Sequence, residues 1–149
     1  MKKIIFLCTG NYYRSRFAEH LFNWLATQRG LNWQSYSKGL ALERGVNNVG
    51  AISIYAKEAL AKRGITTVTP QERYPQSVEE EDFSNFDIAI ALDESEHFPL
   101  MEERFPNHAN SITYWLVHDI DRTEPEIALE LIEKNVLKLL DKIAKNEDK

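Results

Sequence analysis

Ile4-Ile5-Phe6-Leu7 is an apolar run rich in β-branched and aromatic side chains, preceded by Lys3 and stopped by Gly10. Apolar at every position, it reads as a short strand, Lys3 to Leu7, covered on both faces. From Ser15 to Arg29 the period changes. Phe17, Ala18, Leu21, Phe22 and Leu25 recur at i, i+3, i+4 spacing and predict a helix that stops at Gly30. Trp33 to Ser37 alternates and reads as a second strand. Gly50 to Arg63 returns to helical spacing, with Gly64 as its stop. Thr66 to Gln76 carries Pro70 and Pro75 and no period, so it reads as a loop. Ser77-Val78-Glu79-Glu80 matches a capping box, and the acidic run from Glu79 to Asp82 reads as the solvated start of a short helix. Asp87 to Leu92 is a third buried strand. Glu94 to Arg104 is helical in pattern, although Pro99 belongs only in a first turn. Ser111 to Val117 is a fourth strand. Thr123-Glu124-Pro125-Glu126 opens a last helix that runs to about Lys145 and buries Leu129, Ile132, Val136, Leu139, Leu140 and Ile143.

Strands and helices alternate, which implies an α/β fold: one three-layer domain over residues 1–149, with a four-stranded parallel sheet and helices on both faces. In such sheets a ligand sits beyond the C-terminal ends of the strands, where the strand order switches. Cys8 stands at that end of the first strand. A hydrophobic share of 43% and a charged share of 28% over 149 residues suit a globular protein with one core. The net charge of −5 argues against a nucleic-acid partner. No apolar run reaches the roughly 18 residues of a membrane span, and Ile4 to Leu7 is too short for a signal peptide, so the expected location is cytoplasmic, with no membrane partner.

The chain has one cysteine, Cys8. It therefore forms no intramolecular disulfide and no Cys-rich zinc site. Alone, such a cysteine would pass for a small core residue. Its neighbours change that reading. Cys8-Thr9-Gly10-Asn11-Tyr12-Tyr13-Arg14-Ser15 forms the loop between a strand and a helix. Backbone amides in such a loop, together with a helix N-terminus, make a cradle for phosphate oxygens. Gly10 permits close backbone approach, Asn11 tolerates the left-handed conformation, and Arg14 offers a planar fork for two oxygens. The helix terminus and guanidinium also favour the thiolate, the nucleophilic form of Cys8, and Ser15 can donate a hydrogen bond to it. Tyr12 and Tyr13 are placed to wall the pocket. His20, His97, His108 and His118 share no metal-ligand spacing, so neither a metal nor another cofactor is expected.

The segment resembles the phosphate loop of the low-molecular-weight protein tyrosine phosphatases, whose pattern C-x-G-N-x-x-R-S it matches at every fixed position. The resemblance implies a cysteine-dependent phosphatase with Cys8 as nucleophile, Arg14 and the loop residues Thr9, Gly10, Asn11, Tyr12, Tyr13 and Ser15 on the phosphate, and no metal. It also implies a general acid in an Asp-Pro pair after the fourth strand. Asp119 matches that place by its offset from Trp115 and Val117. Ile120 replaces the proline, and Asp121 stands as a rival acid. Ser37-Lys38-Gly39 and Ala91-Leu92-Asp93 resemble two further family segments. Glu72 stands where the family has His, Glu96 where it has Asn, and Tyr13 where it often has a second, shielding cysteine. The partners implied are a phosphorylated protein, phosphotyrosine first, and inorganic phosphate as product. Arsenate reductases of this fold relay a disulfide through further cysteines, which this chain lacks. A phosphoarginine phosphatase and a phosphoprotein-binding module without turnover are the alternatives. The first is associated with Thr at the place of Tyr12, and the second is motivated by the missing proline.

Overall fold

The computed structural model describes residues 1–65 and 73–147. Strands β1 (Lys2–Cys8), β2 (Trp33–Gly39), β3 (Ile88–Ala91) and β4 (Thr113–Tyr114) form one sheet in the order β2-β1-β3-β4. All three pairings are parallel. The helices are α1 (Arg14–Gln28), α2 (Ile54–Lys62), α3 (Asp82–Asn85), α4 (Glu94–Arg104) and α5 (Pro125–Glu147), with a 3-10 turn at Leu42–Gly45. The expected α/β layering is what is seen. The strand order switches at β1, so the loop after β1 opens at the C-terminal edge where such sheets bind ligands.

β1 shows why an uninterrupted apolar run was needed. Ile4, Phe6 and Cys8 point into one core layer with Phe17, Phe22, Leu60, Ile132 and Leu140 from α1, α2 and α5. Ile5 and Leu7 point into the other, with Leu100 and Met101 of α4. At ~25 cal/mol per Å2 of apolar area, burying each such side chain contributes about 1.5–3 kcal/mol, so neither face tolerates a polar residue. Gly30 ends α1 with φ +69°, where the Leu31 amide bonds the Ala26 carbonyl at 2.9 Å.

The structure departs from the pattern at four places. Ser77 caps no helix: it bridges Gly39 at the end of β2, with Gly39 N–H on Gln76 O at 2.8 Å and Val78 N–H on Gly39 O at 3.0 Å. A strand edge with free backbone groups outcompetes a local side-chain cap, and Asp82 instead accepts the Glu79 amide at 2.8 Å. α2 begins at Ile54 rather than Gly50, because Gly50 is left-handed at φ +81° and the Ser53 hydroxyl caps the helix at Tyr55 N. Pro99 lies inside α4 beyond its first turn. The helix is carried across it by the Asp93 cap on Ser95 and by buried His97, Leu100 and Met101. β4 is only two residues long, although hydrogen bonds to β3 and the turn after it continue from Trp115 N and Val117 N to Ala91 O and Leu92 O. The expected loop from Thr66 falls largely outside the described residues.

Candidate active site

The loop after β1 is held by its own side chains. Asn11 is the only non-glycine among the described residues with positive φ, at 50°, and it is fully buried. Its amide nitrogen donates to Ser15 Oγ at 3.0 Å and to Ser37 Oγ at 2.8 Å. Its carbonyl oxygen accepts from Arg73 at 3.0 Å and from the Gln76 amide at 3.0 Å. Ser15 Oγ accepts from Asn11 and lies 2.9 Å from Cys8 Sγ, within hydrogen-bond reach of the sulfur. β2 packs against the loop so closely that a Cβ on Gly39 would lie 2.8 Å from Thr9 O and 3.1 Å from Asn11 N. α1 then starts at Arg14 with no side-chain cap and no acidic residue in its first turn, which leaves its N-terminal end to an anion.

Arg14 is 2% exposed and is held from several sides. Its Nη1 donates to Val117 O at 3.1 Å, and its Nη2 donates to Glu96 Oε2 at 2.6 Å. Asp93 and Asp119 lie 3.7 and 3.6 Å away. Burial works against the guanidinium charge, but Cys8, Asp119 and Glu96 outweigh it and raise Arg14 above its ordinary value. Glu96 also accepts from the Thr9 hydroxyl and, at 2.8 Å, from His97 Nε2. The Asp93 amide donates to His97 Nδ1 at 3.0 Å, which fixes the hydrogen of the neutral ring on Nε2. Burial holds His97 below its ordinary value, so the ring stays neutral. Burial also pushes the Glu96 carboxyl up, but the His97 hydrogen bond and the Arg14 charge hold it well below the carboxylate range.

A cavity of about 260 Å3 opens on this loop, lined by Cys8, Tyr12, Tyr13 and Arg14 on one side and by Tyr55, Asp119 and Ile120 on the other. The structure thus brings Asp119 to Cys8 and Arg14. Asp121 is exposed and does not line the cavity. His118, beside Asp119 in sequence, bonds Asp93 Oδ2 at 2.9 Å instead. The Tyr12 hydroxyl donates to Val49 O at 2.5 Å and ties the 46–50 segment to the loop. A larger cavity, about 710 Å3, lies by Lys2, Trp33 and Lys138 and contains none of the loop residues. The smaller one brings Cys8, Arg14 and Asp119 together. Among the described residues, no cluster of three or more His, Cys, Asp or Glu is arranged to hold a metal, and no helix is long and apolar enough to cross a membrane.

A family model described as low molecular weight phosphotyrosine protein phosphatase matches residues 3–149. The chain belongs to this family. It is 33% identical over 97 residues to the human low molecular weight phosphotyrosine protein phosphatase, covering 63% of this chain and 56% of the human protein. It is similar to the low molecular weight protein tyrosine phosphatase of T. tengcongensis at 26% identity and a TM-score of 0.77, over 95% of this chain and 99% of that one. YfkJ from Bacillus subtilis gives 26% identity and a TM-score of 0.81, over 98% and 96%.

Set against the low molecular weight phosphatase pattern, the departures have structural consequences. Ile120 in place of proline supplies an N–H, and that N–H donates to Asp119 Oδ1 at 2.8 Å, a bond proline cannot make. Glu96 in place of asparagine brings a carboxylate onto the loop arginine. Tyr13 in place of the second cysteine puts an aromatic wall beside Cys8. Glu72 lies outside the described residues. Sequence reasoning missed Ser37 as an Asn11 partner and Tyr55 and Asn48 as cavity residues. The Ser37-Lys38-Gly39 resemblance pointed at the first. Nothing in the sequence pointed at the other two.

Proposed function

We propose that the chain, read as one phosphatase domain over residues 1–149, hydrolyses phosphomonoesters, with phosphotyrosine in a protein as the substrate. The observation that supports this best is Cys8 Sγ at 2.9 Å from Ser15 Oγ, at the floor of a cavity that it shares with Arg14 and Asp119. In this reading the Cys8 thiolate attacks phosphorus in line and the bond to the leaving oxygen breaks. The amides of Thr9 through Ser15, with Gly10 allowing their approach, and Arg14 hold the phosphoryl oxygens more tightly in the transition state than in the ground state. Asp119 gives its proton to the leaving oxygen. It then takes a proton from the water that attacks the cysteinyl-phosphate, releasing inorganic phosphate. The Tyr12 and Tyr13 rings and Tyr55 suit a flat phenyl group. Phosphoarginine is the less favoured substrate because Tyr12 stands where that branch has Thr. The cytoplasm is the compartment that suits an unshielded reactive thiol.

Cys8→Ser is expected to abolish turnover of phenyl phosphate. Asp119→Ala is expected to slow it by about 10²- to 10⁴-fold while phosphate still binds. Undiminished hydrolysis by Cys8→Ser would overturn the mechanism. Tight phosphopeptide binding by the wild-type chain without turnover would instead favour the binding module.

A further inference from the structure

Tyr13 lines the cavity beside Arg14 and is 7% exposed. Its hydroxyl is buried, and among the described residues it has no hydrogen-bond partner. Leaving such a group unpaired is costly, and phenylalanine would fill the same space without that cost. Every other polar side chain of the loop is satisfied within the protein: Thr9 on Glu96, Asn11 on Ser15 and Ser37, Tyr12 on Val49, Ser15 on Cys8. The Tyr13 hydroxyl therefore reads as a donor whose acceptor arrives with the ligand. Its surroundings say which part of the ligand that is. Burial first, then the Asp119 carboxylate and Tyr55, against the opposing Arg14 charge, push the hydroxyl up to about 12, so it stays protonated throughout the neutral range. The carboxylate that acts on it is Asp119, the group placed over the leaving oxygen in the reading above.

We propose that the Tyr13 hydroxyl donates a hydrogen bond to the leaving oxygen of the bound phosphomonoester, beside the Asp119 carboxyl that protonates it. The inference rests on the phosphatase reading of the site. No proton leaves Tyr13. As the P–O bond breaks, its electron pair passes to the leaving oxygen, the proton comes from Asp119, and the Tyr13 O–H stabilises the charge that has not yet been neutralised. The contribution is larger for a more basic leaving group, because more charge must be carried there.

The test compares wild-type chain and Tyr13→Phe on phenyl phosphate and para-nitrophenyl phosphate. The readout is kcat/KM, which reports the step that breaks the P–O bond. Phenyl phosphate is expected to lose about tenfold to a hundredfold and para-nitrophenyl phosphate much less. The Tm is expected to stay level or rise, because an unpaired buried hydroxyl has been removed. Combining Tyr13→Phe with Asp119→Ala is expected to steepen the dependence on leaving-group basicity beyond either change alone. An equal loss on both substrates, no loss on either, or a Tyr13→Phe chain that does not fold would overturn the role of Tyr13 and leave the phosphatase reading standing. A wild-type chain that hydrolyses neither substrate would overturn both.

Discussion

At the scale of single residues, the unusual group is Glu96. Phosphate loops need positive charge, yet this carboxylate sits 2.6 Å from the guanidinium of Arg14 and is anchored by Thr9 and His97. It does two things at once. It fixes the guanidinium plane, and it competes with a phosphate oxygen for Arg14 Nη2. Glu96→Gln keeps an acceptor near Thr9 and Arg14 but removes the charge. We expect inorganic phosphate to inhibit the variant about three- to tenfold more tightly, the range set by roughly 1 kcal/mol of relieved repulsion at a partly solvated site. Inhibition constants measured side by side check this, and weaker phosphate binding would mean that positioning Arg14 is the larger effect. This residue also marks the limit of what the sequence carried. Cys8, Asn11, Arg14 and Ser15 were legible because the loop is local, within eight consecutive positions. Glu96 and His97 lie almost ninety positions from Thr9, and only the fold brings them to it.

At the scale of elements, period and breakers did most of the work. α1, α4 and α5 announce themselves by i, i+3, i+4 spacing and by their stops and caps, because a helix satisfies its backbone locally. Two of the four departures share a cause: Ser77 pairs with β2, and the end of β4 follows β3, so long-range ladders decided both. The same reasoning identifies what locks α2 onto α5. Arg63, just past the end of α2, makes two 3.0 Å bonds to Glu133 of α5, donates to Ala59 O at 2.8 Å, and lies 5.4 Å from the centre of the Phe17 ring of α1. One side chain thus closes the C-terminal end of one helix and touches two others. Arg63→Ala is expected to destabilise the chain by about 1 kcal/mol, since the pair is partly exposed and screened. Arg63→Lys should recover little of that, because an ammonium cannot make the two-pronged contact. Urea midpoints for the three proteins test it, and equal midpoints for wild type and Arg63→Ala would remove Arg63 from the account.

At the scale of the whole molecule, buried ionisable groups divide the pH axis into two windows. His20 and His97 are both held below the ordinary imidazole value, His20 at about 4 against 6.5. Burial is the first cause in each, and the charges of Arg16 and Arg73 add to it at His20, whose ring accepts from Arg16 at 3.3 Å. In the unfolded chain these rings take up protons as the pH falls through about 6.5, and in the native chain they do not. For His20 the unfolded state therefore binds more protons between about 6.5 and 4, His97 acts in the same direction below 6.5, and native stability falls as the pH falls through that window. Asp93 and Glu96 act lower down. Their native values lie below the ordinary 3.8 and 4.5, so their contribution is intact above those values and is lost only as the pH falls beneath them. His20 does not line the cavity, so His20→Gln removes one of the two rings while every cavity-lining residue is kept. The expected result is a Tm that declines less steeply than wild type between pH 6.5 and 4 and in parallel with it below pH 4. Thermal melts across the two ranges measure it directly. Coincident curves for the two proteins above pH 4 would show that His20 takes up its proton equally in both states, and would assign the loss in that window to His97 alone.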